Sequence, residues 1–172
     1  MTRLDSTPDQ KPTRLHLNDV VQDLRTRTQT MVERKGLSLV LDLAAERVWV
    51  EADSQSLSQA LNNIVANAVR FTPSGGTITL RTFAQGACAG VEITDTGIGI
   101  AEHDLPYIFD RFYRADKARS NVEGGAGLGL AIAKKVLDLH GGTITVESTL
   151  GSGTIFRVLL PPVAPSAERL IE

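Results

Sequence analysis

The segment LNNIVANAVRFTP, residues 61–73, lies in a helix that the sequence marks at both ends. Asp53 is a good N-cap residue, and Pro73, followed by Gly75 and Gly76, stops a helix. Between these signals, apolar residues recur at the three- and four-residue spacing of one helical face. This apolar stripe consists of Leu57, Ala60, Leu61, Ile64 and Ala68. The pattern predicts an amphipathic helix that buries the stripe in a core.

A second face of the same helix carries Asn63, Asn67 and Arg70, at positions i, i+4 and i+7. Asparagine oxygens are neutral, hard ligands that suit Mg²⁺ beside phosphate groups, and an arginine offsets phosphate charge. Any amphipathic helix, however, also shows a polar face to solvent. The helix alone therefore leaves open both a metal and phosphate site and a solvated surface.

Upstream, the pattern predicts another helix and a hairpin. From Asn18, predicted as the N-cap, apolar residues recur at helical spacing until Gly36. Residues 37–43 then alternate leucine with other side chains, a two-residue period that is typical of a half-buried strand. Residues 48–50 are predicted to pair with this strand as a hairpin.

Downstream, strands and one helix follow each other. Strands are predicted at residues 77–83 and 90–94, a helix at 128–140, and a closing hairpin at 143–148 and 154–160. Gly141 and Gly142 directly follow the predicted helix, as expected at a helix end. Because helices and strands interleave while hairpins dominate the pairing, the predicted fold class is α/β, a two-layer sandwich with a mixed sheet.

The composition fits one globular domain. Of 172 residues, 42% are hydrophobic and 22% are charged, and the formal net charge is -2. This charge supplies no positive field for nucleic-acid phosphates or an anionic membrane, so neither is predicted as a partner. The single cysteine, Cys88, excludes an internal disulfide and suits a cytoplasmic location. We expect a polar linker at residues 1–14, the domain at 15–161 and a tail at 162–172.

The motif DTGIGI, residues 95–100, directly follows a predicted strand. The carboxylate of Asp95 can accept a hydrogen bond from an exocyclic amine, and Gly97 and Gly99 let the backbone approach a flat ring. A turn that only ends a strand uses the same residue types. The motif alone leaves both interpretations open.

The motif GGAGLGL, residues 124–130, runs into the predicted third helix. Backbone amides at glycines, with the positive end of a helix dipole behind them, form an anion cradle. The motif lacks the lysine of a P-loop and the preceding strand of a dinucleotide-binding unit, so both of those sites are excluded.

The aromatic segment IFDRFYR, residues 108–114, lies between the two glycine motifs. Aromatic and arginine side chains there are predicted to form part of a lid, and residues 115–125 are expected to be mobile until phosphates recruit their basic side chains. An aromatic cluster that anchors the segment, with solvated arginines, is the alternative.

The order and spacing of these four motifs resemble the ATP-binding domain of bacterial sensor histidine kinases over residues 15–161. The asparagine box reads LNNIVANAVRFTP, the first glycine box DTGIGI, the aromatic box IFDRFYR and the second glycine box GGAGLGLAI. The resemblance implies a sandwich of three helices and five strands, shared with gyrase, heat-shock chaperone and mismatch-repair ATPases (the GHKL fold). It also implies ATP and Mg²⁺ as ligands.

The resemblance assigns metal and phosphate roles. Asn67 is implied as the main Mg²⁺ ligand, with Asn63 as a second candidate ligand and Arg70 near the phosphates. Arg114 and Tyr113 are implied to approach the polyphosphate when the lid closes. The implied phosphate cradle consists of Gly125, Gly127, Leu128 and Gly129.

The resemblance also assigns the base-binding side of the pocket. Phe71 is implied to stack on adenine, and Asp95 to accept from its amino group. Gly97 and Gly99 are implied to shape the pocket. Thr154, in the turn GSGTIF, is implied as a second polar contact on the adenine side.

The resemblance implies transfer of the γ-phosphate to a histidine on a dimerisation domain outside this chain, and relay to a response regulator. Related ATP hydrolases and anti-sigma-factor serine kinases carry a glutamate base four residues before the Mg²⁺ asparagine, where this chain has Asn63, which is no base near neutral pH. A serine kinase and a regulatory nucleotide-binding domain remain the alternatives. The resemblance of residues 1–6 to the end of a dimerisation helix suggests an excised fragment of a kinase anchored in the inner membrane.

The chain's three histidines are predicted to be structural, so we expect no self-phosphorylation. His16 precedes the first helix, and His103 lies in a surface link. His140 ends the third helix, where a partly protonated imidazole would suit the negative end of the helix dipole.

Overall fold

A computed structural model describes residues 12–86, 88–113, 128–161 and 163. Within these ranges the chain forms seven strands, three α-helices and one short 3₁₀ turn. They are β1 (Thr13–His16), α1 (Leu17–Arg34), β2 (Ser38–Asp42), β3 (Trp49–Ala52), α2 (Ser54–Phe71), β4 (Thr77–Gln85), β5 (Cys88–Asp95), the 3₁₀ turn (Leu105–Tyr107), α3 (Gly129–Leu139), β6 (Thr143–Ser148) and β7 (Thr154–Leu160). No helix in these ranges is long and apolar enough to cross a bilayer.

The main sheet has five strands in the order β2-β4-β5-β7-β6. β2 pairs with β4 in parallel, and the other neighbours pair antiparallel, so the sheet is mixed. The helices form the second layer: α1 lies against β2 and β4, α2 against β5, and α3 against α2 and β6. The predicted two-layer α/β sandwich with three helices and five sheet strands is confirmed.

The core lies between the two layers and follows the predicted patterns. All five residues of the apolar stripe on α2 are buried, together with Val65 and Val69. On β7, Thr154, Phe156, Val158 and Leu160 are buried while the residues between them are partly exposed, which is the two-residue period of a strand with one core face. The buried stripe and the buried strand faces form one continuous cluster.

The predicted hairpin between residues 37–43 and 48–50 is wrong. β2 instead joins the edge of the main sheet, where Ser38 N donates to Gly76 O at 3.0 Å. β3 pairs antiparallel with β1, with Leu15 opposite Val50. Val50 and Ala52 are completely buried, so this small sheet closes one side of the core. β1 begins at Thr13, so the predicted linker end at residue 14 falls inside a strand.

The predicted N-cap of α1 is also wrong, because His16 takes that position and Asn18 lies inside the first turn. The Asn18 amide makes tertiary bonds instead: its Nδ2 donates to Ala44 O at 3.0 Å, and its Oδ1 accepts from Thr82 Oγ1 at 2.6 Å. For α2 the prediction is confirmed, since Asp53 is the N-cap and accepts from Ser56 N at 3.1 Å.

The outer face of the main sheet carries an ion-pair ladder with one residue from each strand. Arg81 lies 3.8 Å from Asp42 and 3.5 Å from Glu92. Arg157 lies 3.0 Å from Glu92 and 3.4 Å from Glu147. Negative and positive charges therefore alternate across the five strands, an arrangement that favours this strand order.

Candidate functional site

Carbonyl groups tie the last turn of α2 to neighbouring segments. An α-helix leaves its last four carbonyls without intrahelical partners. Here Ala68 O accepts from Thr72 Oγ1 at 2.7 Å, and Phe71 O accepts from Ile98 N at 3.0 Å. The two carbonyls between them accept from Lys35 Nζ at 2.6 Å each. The polar face of α2 therefore ends beside the loop that follows β5.

Asp95 is the last residue of β5 and only 4% exposed. Its carboxylate accepts from Gly97 N at 2.8 Å and from the backbone amide of Thr154, the residue opposite it on β7. Burial raises the pKa of this carboxyl above its ordinary value, and the two backbone hydrogen bonds offset part of that rise. A buried acceptor held by neutral donors is suited to a ligand that brings a further N–H group.

The glycines of this loop are needed because other chain segments approach closely. A Cβ on Gly97 would lie 2.4 Å from Phe71 O and 2.8 Å from the Asp95 carboxylate. Gly99 has φ +75°, and a Cβ there would lie 2.1 Å from Thr149 O. The loop is therefore packed backbone to backbone against the end of α2 and the β6–β7 turn.

Ser148, which the sequence did not single out, organises the neighbouring β6–β7 turn. Its hydroxyl donates to Gly153 O at 2.8 Å and accepts from Ile100 N at 2.7 Å. Its Oγ also lies 2.9 Å from Thr154 Oγ1. Because the Ser148 proton is used on Gly153, Thr154 is the donor in this pair. The hydroxyl that Thr154 presents is then an acceptor toward any further group.

The opposite end of the polar face of α2 lies against the start of α3. Asn63 Nδ2 donates to Gly129 O at 3.2 Å. A Cβ on Gly129 would lie 3.7 Å from the Asn63 Cβ, so the two helices are in close contact there. Leu128 is the N-cap of α3, and Asn67 lies one helical turn beyond Asn63, partly exposed. The Asn63 bond uses the amide nitrogen, so the oxygen is left for a cation or water.

Arg70 and Phe71 end the polar face, both partly exposed, with the guanidinium carbon 5.9 Å from the ring centroid. The predicted site residues thus form two groups, with contacts within each group. The first group contains Phe71, Asp95, Gly97, Gly99 and Thr154, and the second contains Asn63, Leu128 and Gly129. α2 connects the groups and carries Asn67 and Arg70 between them.

Tyr113 packs against the 3₁₀ turn and the residue before it. Its hydroxyl donates to the buried Asp104 carboxylate, and its ring lies 5.6 Å from that of Tyr107. The hydrogen bond to Asp104 is the main cause that raises the pKa of Tyr113 to about 12. The remaining predicted lid and cradle residues, Arg114, Gly125 and Gly127, lie outside the described residues, as does the whole stretch 115–125.

The described part of the aromatic box fits the anchoring alternative. Ile108 is 7% exposed, and Phe109 packs edge-on against Phe156 at 6.2 Å between ring centroids. Arg111 is exposed. The two apolar side chains therefore fasten the segment to the core just before Tyr113.

The three histidines have structural surroundings. His103 is exposed, with its ring 3.5 Å from the Asp104 carboxylate, and His16 caps α1 with its ring edge-on to Trp49. His140 ends α3, as predicted, and its ring bridges two backbone groups. Its Nδ1 lies 2.7 Å from Val136 O, and its Nε2 accepts from Asp53 N at 3.1 Å.

Sequence reasoning missed Lys35, Thr72 and Ser148. Thr72 carried a local signal, because a threonine directly after a helix can bond back to the carbonyl four residues earlier. Lys35 carried none, since its partners are 34 and 35 residues away. Ser148 joins its own turn to the distant Ile100 amide, and that long-range bond has no sequence signal.

Residues 52–164 match the family model of the histidine kinase-, DNA gyrase B- and HSP90-like ATPases. Over 145 residues the chain is 38% identical to the sensor histidine kinase RppB of Synechocystis, a match that covers 84% of this chain and 32% of RppB. The chain therefore spans about a third of the length of that curated relative.

Solved structures of histidine kinases share the fold. The catalytic domain of ThkA aligns over 90% of this chain and 100% of its own, with TM-score 0.77 and 26% identity. Full-length ShkA in complex with AMPPNP covers 96% of this chain and 34% of its own, with TM-score 0.81 and 27% identity. ThkA in complex with the response regulator TrrA covers 88% and 42%, with TM-score 0.74 and 25% identity. The chain belongs to the histidine kinase-, DNA gyrase B- and HSP90-like ATPase family, and within it to the ATP-binding catalytic domains of sensor histidine kinases.

Proposed function

We propose that this chain binds Mg-ATP along the polar face of α2 and transfers the γ-phosphate to a histidine on a dimerisation domain, for relay to a response regulator. One observation carries the proposal. The hydrogen bond from Ile98 N to Phe71 O, with Gly97 packed against the same carbonyl, joins the asparagine-bearing helix to the loop of the buried Asp95. A polar acceptor for a base and ligands for a metal and phosphates then line one continuous surface.

On the base side, Asp95 accepts from the adenine amino group. Its burial and its two backbone donors fix the carboxylate and leave acceptor capacity for one more N–H group. Phe71 stacks on the ring and Thr154 offers its acceptor oxygen. Gly97 and Gly99 shape the pocket by letting the loop pack closely against α2 and the β6–β7 turn. ShkA, a relative with the same fold, was solved with the nucleotide AMPPNP.

On the phosphate side, Asn67 would hold Mg²⁺, with Asn63 as a second ligand. Both side chains are partly exposed on one helix face, and amide oxygens are the hard neutral donors that suit this ion. When bound, Mg²⁺ offsets the charge on the phosphate oxygens. Arg70 adds a cation there, and the backbone amides of Leu128 and Gly129 donate to the phosphate oxygens at the start of α3. Arg114, Tyr113, Gly125 and Gly127 complete the proposed set.

The residue at position 63 favours histidine as the acceptor. An asparagine cannot remove a proton from water or a serine near neutral pH, and here its nitrogen already donates to Gly129 O. A neutral histidine nitrogen is nucleophilic without a base, so positioning and charge stabilisation are sufficient. The pair of Asn63 and Asn67 therefore supports histidine phosphorylation over hydrolysis or serine phosphorylation.

We further propose that the catalytic unit runs from β1 to residue 161, flanked by a linker and a tail, and acts in the cytoplasm beside its dimerisation domain. Among the solved relatives, ThkA forms a complex with the response regulator TrrA. The exposed, unpaired thiol of Cys88 suits a reducing compartment.

The test compares Asn67→Ala with Asn62→Ala, a partly exposed asparagine on the same helix outside the proposed site. We expect Asn67→Ala to remove most of the Mg²⁺-dependent part of ATP affinity while both variants stay folded, because the change removes a ligand and no core volume. Calorimetry with and without Mg²⁺ measures this. An unchanged Mg²⁺ dependence in folded Asn67→Ala would refute the metal assignment.

Transfer is tested with labelled ATP, first with the chain alone and then with a dimerisation domain of a sensor kinase. We expect acid-labile phosphate on the dimerisation domain and none on this chain. Label on this chain in the first reaction, or release of phosphate to water in both, would contradict the proposed acceptor.

A further inference from the structure

Lys35 follows α1, and its ammonium group reaches the last turn of α2. Its Nζ donates to the carbonyl oxygens of Val69 and Arg70, at 2.6 Å each. The next residue, Gly36, accepts at its carbonyl oxygen from Gly75 N at 2.9 Å. The end of α1 is thus fastened to the end of α2 and to the turn that follows it.

These bonds complete the capping of α2. Thr72 Oγ1 and Ile98 N donate to the carbonyls of Ala68 and Phe71. Between them, Lys35 donates to Arg70 O and adds a short second bond to Val69 O, which also accepts from Thr72 N at 3.4 Å. A cation at this end also interacts favourably with the helix dipole. Burial lowers the pKa of Lys35, and the nearby Arg70 guanidinium lowers it further. Both effects disfavour the charged ammonium, and its hydrogen bonds to the two carbonyls oppose them.

We propose that Lys35 is a positioning residue for the nucleotide site: it fixes the last turn of α2, and with it Arg70 and Phe71, against the loop that begins at Asp95. This inference rests on the proposed function, which gives Arg70 and Phe71 contacts with the nucleotide. Without the lysine, Arg70 O loses its lysine donor and Val69 O keeps only the 3.4 Å bond from Thr72 N, so the last turn frays toward water. The bond between Phe71 O and Ile98 N, which joins the two halves of the site, then weakens.

The experiment compares Lys35→Met with Lys134→Met, since Lys134 is an exposed lysine on α3 that pairs with Asp138 at 3.4 Å. We expect Lys35→Met to weaken Mg-ATP binding about tenfold, or about 1.4 kcal/mol, and Lys134→Met to leave it unchanged. Lys35→Arg keeps donors and charge and should restore affinity to within about threefold, or roughly 0.7 kcal/mol. Should Lys35→Met fail to fold, Lys35→Gln takes its place.

A second measurement needs no nucleotide. In the unliganded protein, hydrogen exchange at the Ile98 amide should be faster in Lys35→Met than in wild type and in Lys134→Met, because that amide donates to Phe71 O. A folded Lys35→Met with lower unfolding free energy but wild-type ATP affinity and Ile98 exchange would overturn the inference, since the lysine would then be merely stabilising. A wild type that binds no ATP would refute the proposed function instead, and Ile98 exchange would still decide whether Lys35 holds the two segments together.

Discussion

Two carboxylates on β5, Glu92 and Asp95, are both poorly exposed and yet have opposite surroundings. Glu92 points to the outer face, where it accepts from Arg157 at 3.0 and 3.2 Å and from Arg81 at 3.5 Å. Asp95 ends the strand and accepts from the backbone amides of Gly97 and Thr154. One charge is balanced by two cations, and the other by neutral dipoles.

The difference separates a carboxylate that is used up in ion pairs from one that has acceptor capacity left for a ligand. The Glu92 carboxylate is paired with two guanidinium groups of the ion-pair ladder, so it has little remaining capacity to accept hydrogen bonds from a ligand. Burial raises the pKa of the Asp95 carboxyl, and the hydrogen-bond partners of this carboxyl are rigid backbone groups. A perturbed carboxyl of this kind at the end of a strand is a functional candidate in a way that a paired one is not.

The largest effect is expected for Asp95→Asn. ATP affinity should fall by about tenfold to over a hundredfold, because a hydrogen bond to a charged acceptor contributes roughly 1.5–3 kcal/mol. Since the backbone amides retain the Asn oxygen, its NH₂ group faces the base and should improve binding of GTP, whose carbonyl repels a carboxylate. Calorimetry with both nucleotides measures the switch, with Glu92→Gln as the matched control. Equal wild-type affinities for ATP and GTP would contradict the role of Asp95.

A moderate effect is expected for Glu92→Gln on stability alone. Loss of its charge leaves two arginines without their shared partner, and the unfolding free energy should fall by about 1 kcal/mol, less at high salt. Glu147→Gln is the control, because Glu147 is 66% exposed and lies 3.4 Å from Arg157, and it should change stability by less than about 0.5 kcal/mol. Urea titrations at low and high salt measure both. Equal losses of unfolding free energy in the two variants would show that Glu92, at the centre of the ladder, contributes no more to stability than Glu147 does.

The smallest effect concerns pH. The pKa of Asp95 is higher in the folded chain than its ordinary value of 3.8, so the folded state binds the proton more tightly and ionisation of this group destabilises the fold. That destabilisation is fully present above the folded pKa, declines as pH falls below it, and is gone below the ordinary value of 3.8. Asp95→Asn should therefore be more stable than wild type at pH 7, with a smaller difference near pH 4. A difference independent of pH would argue against the raised pKa.

The local part of the fold could be predicted from the sequence, and the long-range part could not. The α2 stripe and its Asp53 cap, and the final hairpin, follow from spacing and capping within a few turns. The pairing of β3 with β1 could not be predicted in this way, because β1 is a four-residue strand with little alternation. This pairing depends on filling the core with Val50. Asn18 was predicted as an N-cap because nothing in the sequence indicates its actual hydrogen-bond partners, which lie on β4 and in the loop after β2.

For the site, the sequence supplied the side chains that face the proposed ligand but few of those that hold them. Asn63, Asp95 and Gly97 were identified, since motif chemistry selects their residue types. Lys35 donates to carbonyls on α2 and Ser148 accepts from the Ile100 amide, both far away in sequence, through bonds that any lysine or serine could make. Their contribution is visible only once the chain is folded.

β7, the last described strand in sequence, lies inside the sheet between β5 and β6, not at an edge. During synthesis, a nascent chain that has not yet released this strand exposes the backbone edge of β5, where another strand can pair and start aggregation. Asp95 also lacks the Thr154 amide until β7 arrives. Nucleotide therefore cannot help the early stages of folding, and it can stabilise the domain only after its final strand is inserted.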